Sequence, residues 1–209
     1  MATSFFLEEM MNITKKIIHG IEVQYIPETK YKHMIIMVAF YSKNQPLLYN
    51  ERHLLPSLLE ENNRIYKTHH RFNIALDQLY GALFSYSAYQ LGEMFSNQFL
   101  VKFVNQKYIN EMNLIDSVVK ILRDIIYHPK KYRGLLTNAS VNDKIKETYE
   151  SLDSIKQDKA TNAYYQFLKL INNEQLPSIF PFEANLESMS QESFTEAYHS
   201  MIHDDAMKI

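Results

Sequence analysis

The side chains most suited to metal or acid–base chemistry in this chain are its eight histidines. His199 and His203 are four residues apart, so they share a helical face and could chelate a metal ion if a third ligand converged. We expect that helix to fray by Met201, and no upstream residue is an evident third ligand. His69 and His70 are adjacent, so their side chains diverge on a helix. We therefore expect neither pair to bind a metal.

The stretch His53-Leu54-Leu55-Pro56-Ser57 stands at the front of an apolar run. Four positions of the run share one helical face: Leu54, Leu55, Leu58 and Leu59. This pattern predicts a helix from an N-cap at Asn50 to about Asn63. Pro56 lacks an amide hydrogen and clashes with the preceding turn, so the helix either begins near Leu55 or kinks. On this pattern alone, His53 is a polar residue at a helix start.

Composition excludes several other chemistries. The chain has no cysteine, which removes disulfides and thiolate zinc sites. Its four glycines are scattered, so no glycine-rich phosphate loop exists, and there is no Gly-x-Ser-x-Gly nucleophile elbow. The net charge of −2 supplies no overall field to recruit nucleic acid. The densest basic cluster, Lys130-Lys131 with Arg133, is interpreted as a solvated helix-end patch.

Length and composition indicate a globular protein. The chain has 209 residues, of which 46% are apolar and 22% charged, enough for one large domain with a good core. Its first residues lack the basic start and the long apolar run of a signal peptide. No stretch approaches the roughly 20 apolar residues of a membrane span. We therefore expect a cytoplasmic protein with no membrane span and no nucleic-acid partner.

Hydrophobic periodicity predicts an α+β fold with a mixed, mainly antiparallel sheet and helices on one face. The apolar run 34–40 predicts a central strand covered on both faces. Gly81 is the expected C′ residue of the second helix. The predicted strands are 21–26, 33–41, 82–90, 93–105 and 206–209, and the predicted helices are 50–63, 70–80, 110–127, 140–154, 158–171 and 193–201.

The order of these elements, with several local segments, resembles the insulinase/pitrilysin/mitochondrial-processing-peptidase family of zinc metallopeptidases. The resemblance runs from Gly20 to Ile209. Besides the opening strand pair, the 53–63 helix and the hairpin, the segments that carry it are 76–82, 126–129 and 155–159. The segments 79–82 (Leu-Tyr-Gly-Ala) and 158–159 (Asp-Lys) look most like those of a Gram-positive branch of the family. Members of that branch accompany an intact peptidase homologue.

In active members of this family the corresponding helix carries His-x-x-Glu-His. Two histidines four apart bind Zn²⁺, and the glutamate activates the bound water. The resemblance places His53 at the first ligand position, Pro56 at the general-base position and Ser57 at the second ligand position. Proline cannot accept a proton and serine is a poor zinc ligand. The resemblance thus implies a catalytically silent member with no catalytic residues, no metal ligands and no zinc.

The third ligand of active members falls near Leu152 in this alignment. Three acidic residues lie close to it in the sequence: Glu147, Glu150 and Asp153.

Two other hypotheses about the function of the chain remain open. One is a zinc metallopeptidase with a displaced site that uses His53 and other residues. The other is a purely structural docking domain.

Silent members of the family pair with an active subunit or half and bind extended peptides by strand addition. The peptide-binding positions transferred by the resemblance are Leu83, Phe84, Ser85, Tyr86 and Ser87, where an ordinary sheet strand is the alternative. Leu83, Ser85 and Ser87 are expected on one face of that strand, and the two aromatic residues on the other. Residues 1–209 are expected to form a single domain, the N-terminal half of a longer two-domain protein. The expected partner is an active paralogue or second domain, with self-association through an unpaired sheet edge as a further expectation.

Overall fold

The computed structural model describes residues 13–109, 111–171 and 180–209. Its strands are β1 (Thr14–Ile18), β2 (Ile21–Tyr25), β3 (His33–Lys43), β4 (Leu83–Leu91), β5 (Met94–Val104), β6 (Lys131–Tyr132), β7 (Leu135–Leu136) and β8 (Ala206–Lys208). Its helices are α1 (Tyr49–Glu61), α2 (His69–Asp77), α3 (Leu114–Tyr127), α4 (Asn138–Gln157), α5 (Lys159–Ile171) and α6 (Gln191–His203). The predicted order of helices and strands is confirmed.

A six-stranded sheet with the order β1-β2-β8-β3-β5-β4 organises the fold. The β2–β8 pair is parallel, while the other neighbouring pairs are antiparallel. Strand β8 lies between β2 and β3, where Lys208 is paired with Glu22 on one side and Ala39 on the other. The prediction of a mixed, mainly antiparallel sheet is confirmed, and the short last strand is an interior strand.

The helices pack against one face of the sheet, as predicted. Side-chain burial alternates along β3 and shows this arrangement. Val38 and Phe40 belong to the core, whereas Ile35 and Met37 are 59% and 37% exposed. The prediction that this strand is covered on both faces is wrong for its first half. The reason is that no described helix covers the second face, so every other side chain there meets solvent.

Several predicted boundaries shift. Helix α1 begins at Tyr49, and Asn50 is not its N-cap. Asn50 instead donates from Nδ2 to the Phe182 carbonyl and accepts the Phe182 amide on Oδ1, each at 2.8 Å. Helix α3 begins at Leu114 rather than at 110, which is outside the described residues. Helix α2 ends at Asp77, and Gly81, with φ of +69°, follows in a separate turn.

Three short strands escaped sequence analysis. Strand β1 has no alternating apolar pattern, and all its residues are exposed. Strands β6 and β7 form a two-residue hairpin, too short for any periodicity. Lys131 is exposed, as interpreted, but it lies in that hairpin beyond the helix end, with its Nζ 4.4 Å from the Tyr198 ring centre. No helix of the described part of the chain is long and apolar enough to cross a membrane.

Candidate functional site

His53 lies on the second turn of α1 within an aromatic cluster. Its ring stacks on Phe180 at a centroid distance of 4.3 Å and an interplanar angle of 4°, with Tyr49 at 5.8 Å and Phe95 at 6.1 Å. Its Nδ1 atom is buried without a hydrogen-bond partner among the described residues. Burial lowers the pKa of His53 to about 4, so the imidazole is neutral at pH 7. His53 thus lies near the start of the helix, as interpreted, but its neutral ring packs among aromatic side chains.

Pro56 is buried inside α1, which neither starts at this residue nor stops there. A proline has no amide hydrogen for the carbonyl four residues earlier, which belongs to Arg52. The Asn97 side chain of β5 donates from Nδ2 to that carbonyl at 2.7 Å, and Asn97 is fully buried. A side chain of the sheet thus replaces the helical hydrogen bond that proline removes.

Ser57 uses its hydroxyl within the helix. Its Oγ donates to the Leu54 carbonyl at 2.9 Å. This local bond to the preceding turn is a common conformation for serine in helices. The serine proton is therefore directed to the helix backbone.

Of the three acidic residues near the expected third ligand, two are paired with lysines. Leu152 is 4% exposed and belongs to the core. Glu147 bonds Lys144 at 2.9 Å, and Glu150 pairs with Lys146 at 3.6 Å. Among the residues that the structure describes, no three histidine or acidic side chains could hold a metal ion together. The groups present at these positions do not fit a zinc site.

An ionic cluster at the end of α1 was not anticipated from the sequence. Lys144 of α4, nearly buried, places Nζ 2.8 Å from Glu61 and 2.9 Å from Glu147. These two hydrogen bonds outweigh burial and raise the pKa of Lys144. Burial and the nearby Glu60 carboxylate raise the pKa of the Tyr86 hydroxyl. The cluster joins α1 to α4 and extends to β4, a contact that only the three-dimensional packing creates.

A buried ion pair anchors the other end of α1. Arg52 is 2% exposed, pairs with Asp205, and donates to Ser42 at 2.9 Å. Burial raises the pKa of Asp205, although the Arg52 charge opposes this shift. The adjacent residue Glu51 accepts a hydrogen bond from Ser193 at 2.7 Å, and burial raises its pKa. These bonds connect α1 to β3, to α6 and to the turn before β8.

His199 and His203 line a cleft of about 860 Å³ between α6 and the turn Pro46–Leu48. Helix α6 continues through His203, so the prediction that it frays by Met201 is wrong. The two rings are stacked 5.9 Å apart with planes 7° from parallel. Among the described residues, no third histidine or acidic side chain joins them in a group that could hold a metal ion.

The transferred peptide-binding positions lie on β4, an outer strand of the sheet. Among the described strands, β4 pairs only with β5. The predicted split of its side chains is found: Phe84 packs 5.2 Å from the Phe72 ring, whereas Leu83, Ser85 and Ser87 are exposed on the opposite face. Tyr86, on the same face as Phe84, remains 41% exposed. The outer backbone edge of β4 is thus available for pairing.

Solved structures that share this fold include several peptidase domains. The sequence matches no protein-family model, and no curated protein matches it significantly. A crystal structure of a conserved protein from Enterococcus faecalis is 25% identical with a TM-score of 0.86, covering 94% of this chain and 47% of that one. An M16 peptidase inactive domain from Pseudomonas fluorescens is 14% identical with a TM-score of 0.64, covering 94% and 46%. Pitrilysin is 13% identical with a TM-score of 0.57, covering 94% and 20%.

These similarities confirm, at the level of the fold, the predicted resemblance to the insulinase and pitrilysin type of peptidase domain. One of the matching structures is described as an inactive domain. The chain spans about half the length of the first two structures.

Proposed function

We propose that this chain is a non-catalytic peptidase-type domain that binds extended peptides along β4 and acts beside a catalytically competent partner. The environment of the three motif positions on α1 carries the proposal. His53 is enclosed by aromatic rings, Pro56 has no group that accepts a proton, and the Ser57 hydroxyl is bonded to its own helix. Activation of water by a metal requires converging ligands and a base, and the described residues around these positions supply neither.

The open edge of β4 supports the peptide-binding part of the proposal. An outer strand presents unpaired amide and carbonyl groups to which an extended peptide can add as a further strand. On the helical side of this edge, Phe84 and Tyr86 supply aromatic surface, and their ring centres are 6.3 Å apart. Main-chain bonds would supply affinity there, while these side chains would select alternate residues of the peptide.

The partner is proposed from the length of the similar proteins. The solved structures are roughly twice as long as this chain, so a second unit of similar size is available in them. We propose that an active paralogue or second domain supplies the chemistry in this case.

A reducing, cytoplasmic setting is proposed on the grounds that the chain has no cysteine, and fractionation of cells that express the protein natively tests it.

Metal content and hydrolysis test the loss of catalysis. We expect the purified protein to contain far less than one zinc per chain by plasma mass spectrometry after dialysis with zinc. We also expect no cleavage of a quenched fluorescent peptide library. Stoichiometric zinc, together with cleavage that His53→Ala abolishes, would refute the proposal and support a peptidase with a displaced site.

Backbone-blocked peptides test strand addition. The probe is an extended peptide of alternating valine and threonine with charged ends, compared with a version N-methylated at two adjacent central residues. Because methylation removes amide donors on both edges of the peptide, only the unmethylated probe should bind. Tyr86→Lys should weaken its binding, and Tyr132→Lys, an exposed tyrosine outside the sheet, is the control. Absence of binding, or equal binding of both peptides, would leave only the purely structural docking domain.

A further inference from the structure

The cleft between α6 and the turn Pro46–Leu48 has no role in the function proposed above. Its volume of about 860 Å³ lies within the range of pockets that hold small molecules. Leu47, which is 81% exposed, contributes apolar surface, and the stacked rings of His199 and His203 contribute flat surface. None of its described lining residues belongs to α1 or β4. The cleft is therefore separate from the degenerate motif and from the open strand edge.

The hydrogen-bonding groups of the cleft favour a ligand that donates. Two serine hydroxyls of the lining donate into the protein instead of toward a ligand. Ser188 donates to the Asn185 carbonyl at 2.9 Å, and Ser193 donates to the buried Glu51 at 2.7 Å. Gln45, also in the lining, has a buried Oε1 atom with no hydrogen-bond partner among the described residues. An acceptor without a partner, beside donors that are already bonded, suits a ligand with N–H groups.

The charged side chains of the cleft are acidic. Glu196 and Asp204 line it, and none of its described lining residues is a lysine or an arginine. Burial, with the charges of Lys131 and His203, lowers the pKa of His199, so this ring is neutral at pH 7. Helix α6 also ends at this cleft, and the carboxyl end of a helix favours cations. The electrostatics of the cleft therefore fit a cationic ligand.

The separation of the two acidic residues specifies the shape of that ligand. Glu196 and Asp204 are eight positions apart in the sequence, which corresponds to about 12 Å along a helix axis. One ammonium group cannot reach both carboxylates at this separation, whereas a linear molecule with an ammonium group at each end can. Along α6 between the two carboxylates lie His199 and His203, with Leu47 on the other side of the cleft. A chain of methylene groups would contact these three side chains.

We propose that this cleft binds a linear diamine, with one ammonium group at Glu196, the other at Asp204, and an apolar chain between them. The carboxylates attract the two charges, and burial of methylene groups against Leu47 adds to the affinity. Because both carboxylates are exposed, each ion pair contributes modestly, and selectivity arises from the distance between the two charges. The inference depends neither on peptide addition at β4 nor on the loss of catalysis.

Four small molecules test the two charges and their separation. The probe is 1,8-diaminooctane, whose extended chain matches the separation of the carboxylates. Of the comparison molecules, 1,4-diaminobutane is too short, 8-amino-1-octanol lacks one charge and 1,8-octanediol lacks both. Titrations followed by nuclear magnetic resonance at pH 7 measure affinity, and the ring signals of His199 and His203 report the location. The probe should bind about three- to fivefold more tightly than the shorter diamine or the amino alcohol, the upper range for one exposed ion pair. The diol should bind most weakly, and the affinity of the probe should fall as salt rises.

Variants of the two carboxylates test the contacts. Glu196→Gln should remove most of the advantage of 1,8-diaminooctane over 8-amino-1-octanol, because only one ion pair remains for either molecule. Glu196→Gln/Asp204→Asn should weaken the probe by about tenfold. Glu192→Gln/Asp143→Asn makes the same charge change at exposed helical residues that do not line the cleft, and it should have no effect. Circular dichroism checks the folding of each variant.

Several outcomes would overturn the inference. These are no binding of the probe, equal affinity for the probe and the amino alcohol, or equal weakening by the control variant. Binding that leaves the ring signals of His199 and His203 unchanged would place the diamine elsewhere and refute the site. Equal affinity for the long and the short diamine would refute the bridging arrangement. The valine–threonine peptide tests the β4 edge separately, so either proposal can fail alone.

Discussion

Replacing Pro56 should change how much the protein depends on Asn97. In the native chain the Arg52 carbonyl accepts a hydrogen bond from Asn97, because Pro56 has no amide hydrogen. In Pro56→Ala the backbone amide at position 56 becomes a donor for the same carbonyl. The two substitutions should therefore be energetically coupled, which a double-mutant cycle measures.

The magnitude follows from the burial of the carbonyl. Asn97→Ala alone removes the donor and leaves the buried Arg52 carbonyl without a hydrogen bond. This should lower the free energy of unfolding by about 1–3 kcal/mol, in addition to the cost of the cavity. In the Pro56→Ala background the helix amide satisfies the carbonyl, so only the cavity cost should remain. Because the cavity is common to both backgrounds, it cancels, and we expect a coupling of about 1–2 kcal/mol.

Urea denaturation of the native protein, both single variants and the double variant at pH 7 supplies the four free energies of unfolding. Equal urea dependence across the set shows that the unfolded states are comparable. Asn97→Ala should be clearly less damaging when Pro56→Ala is present. A coupling below about 0.3 kcal/mol, the range found for independent sites, would refute the role of Asn97 as a substitute donor.

Two further predictions concern buried charge. Burial lowers the pKa of His53 from 6.5 to about 4, so the unfolded chain binds the extra proton between these values. The free energy of unfolding should then fall by up to about 3 kcal/mol as pH drops from 6.5 to 4. Urea denaturation at several pH values should show a shallower fall for His53→Leu. Parallel plots of unfolding free energy against pH for the two proteins would contradict this. Asp205→Ala leaves the buried Arg52 guanidinium without its counter-ion and should lower the free energy of unfolding by about 3–5 kcal/mol. Arg52→Met/Asp205→Leu should be less damaging by the same measurement, and a double variant at least as unstable as Asp205→Ala would contradict the account.

The local pattern of the chain was sufficient for most of the architecture. Helices such as α3 repeat apolar residues at helical spacing, and the hairpin of β4 and β5 turns at Gly92, so both were predictable from neighbouring residues. Elements with little apolar pattern, such as β1, were missed. That Pro56 cannot act as a base was also visible in the sequence, because a proline side chain offers no proton acceptor whatever its surroundings.

The surroundings of those same residues depended on distant parts of the chain. His53 is partly buried among aromatic rings because Phe180 stacks on it, and Pro56 is accommodated because Asn97 donates to the Arg52 carbonyl. Sequence periodicity reports which face of an element is apolar, but not which side chain of another element meets it. Likewise, the strand order makes β4 an outer strand. The sequence thus determined the elements and the lack of a proton acceptor at Pro56, while tertiary pairing decided which edges and faces of the described sheet are left uncovered by other described residues.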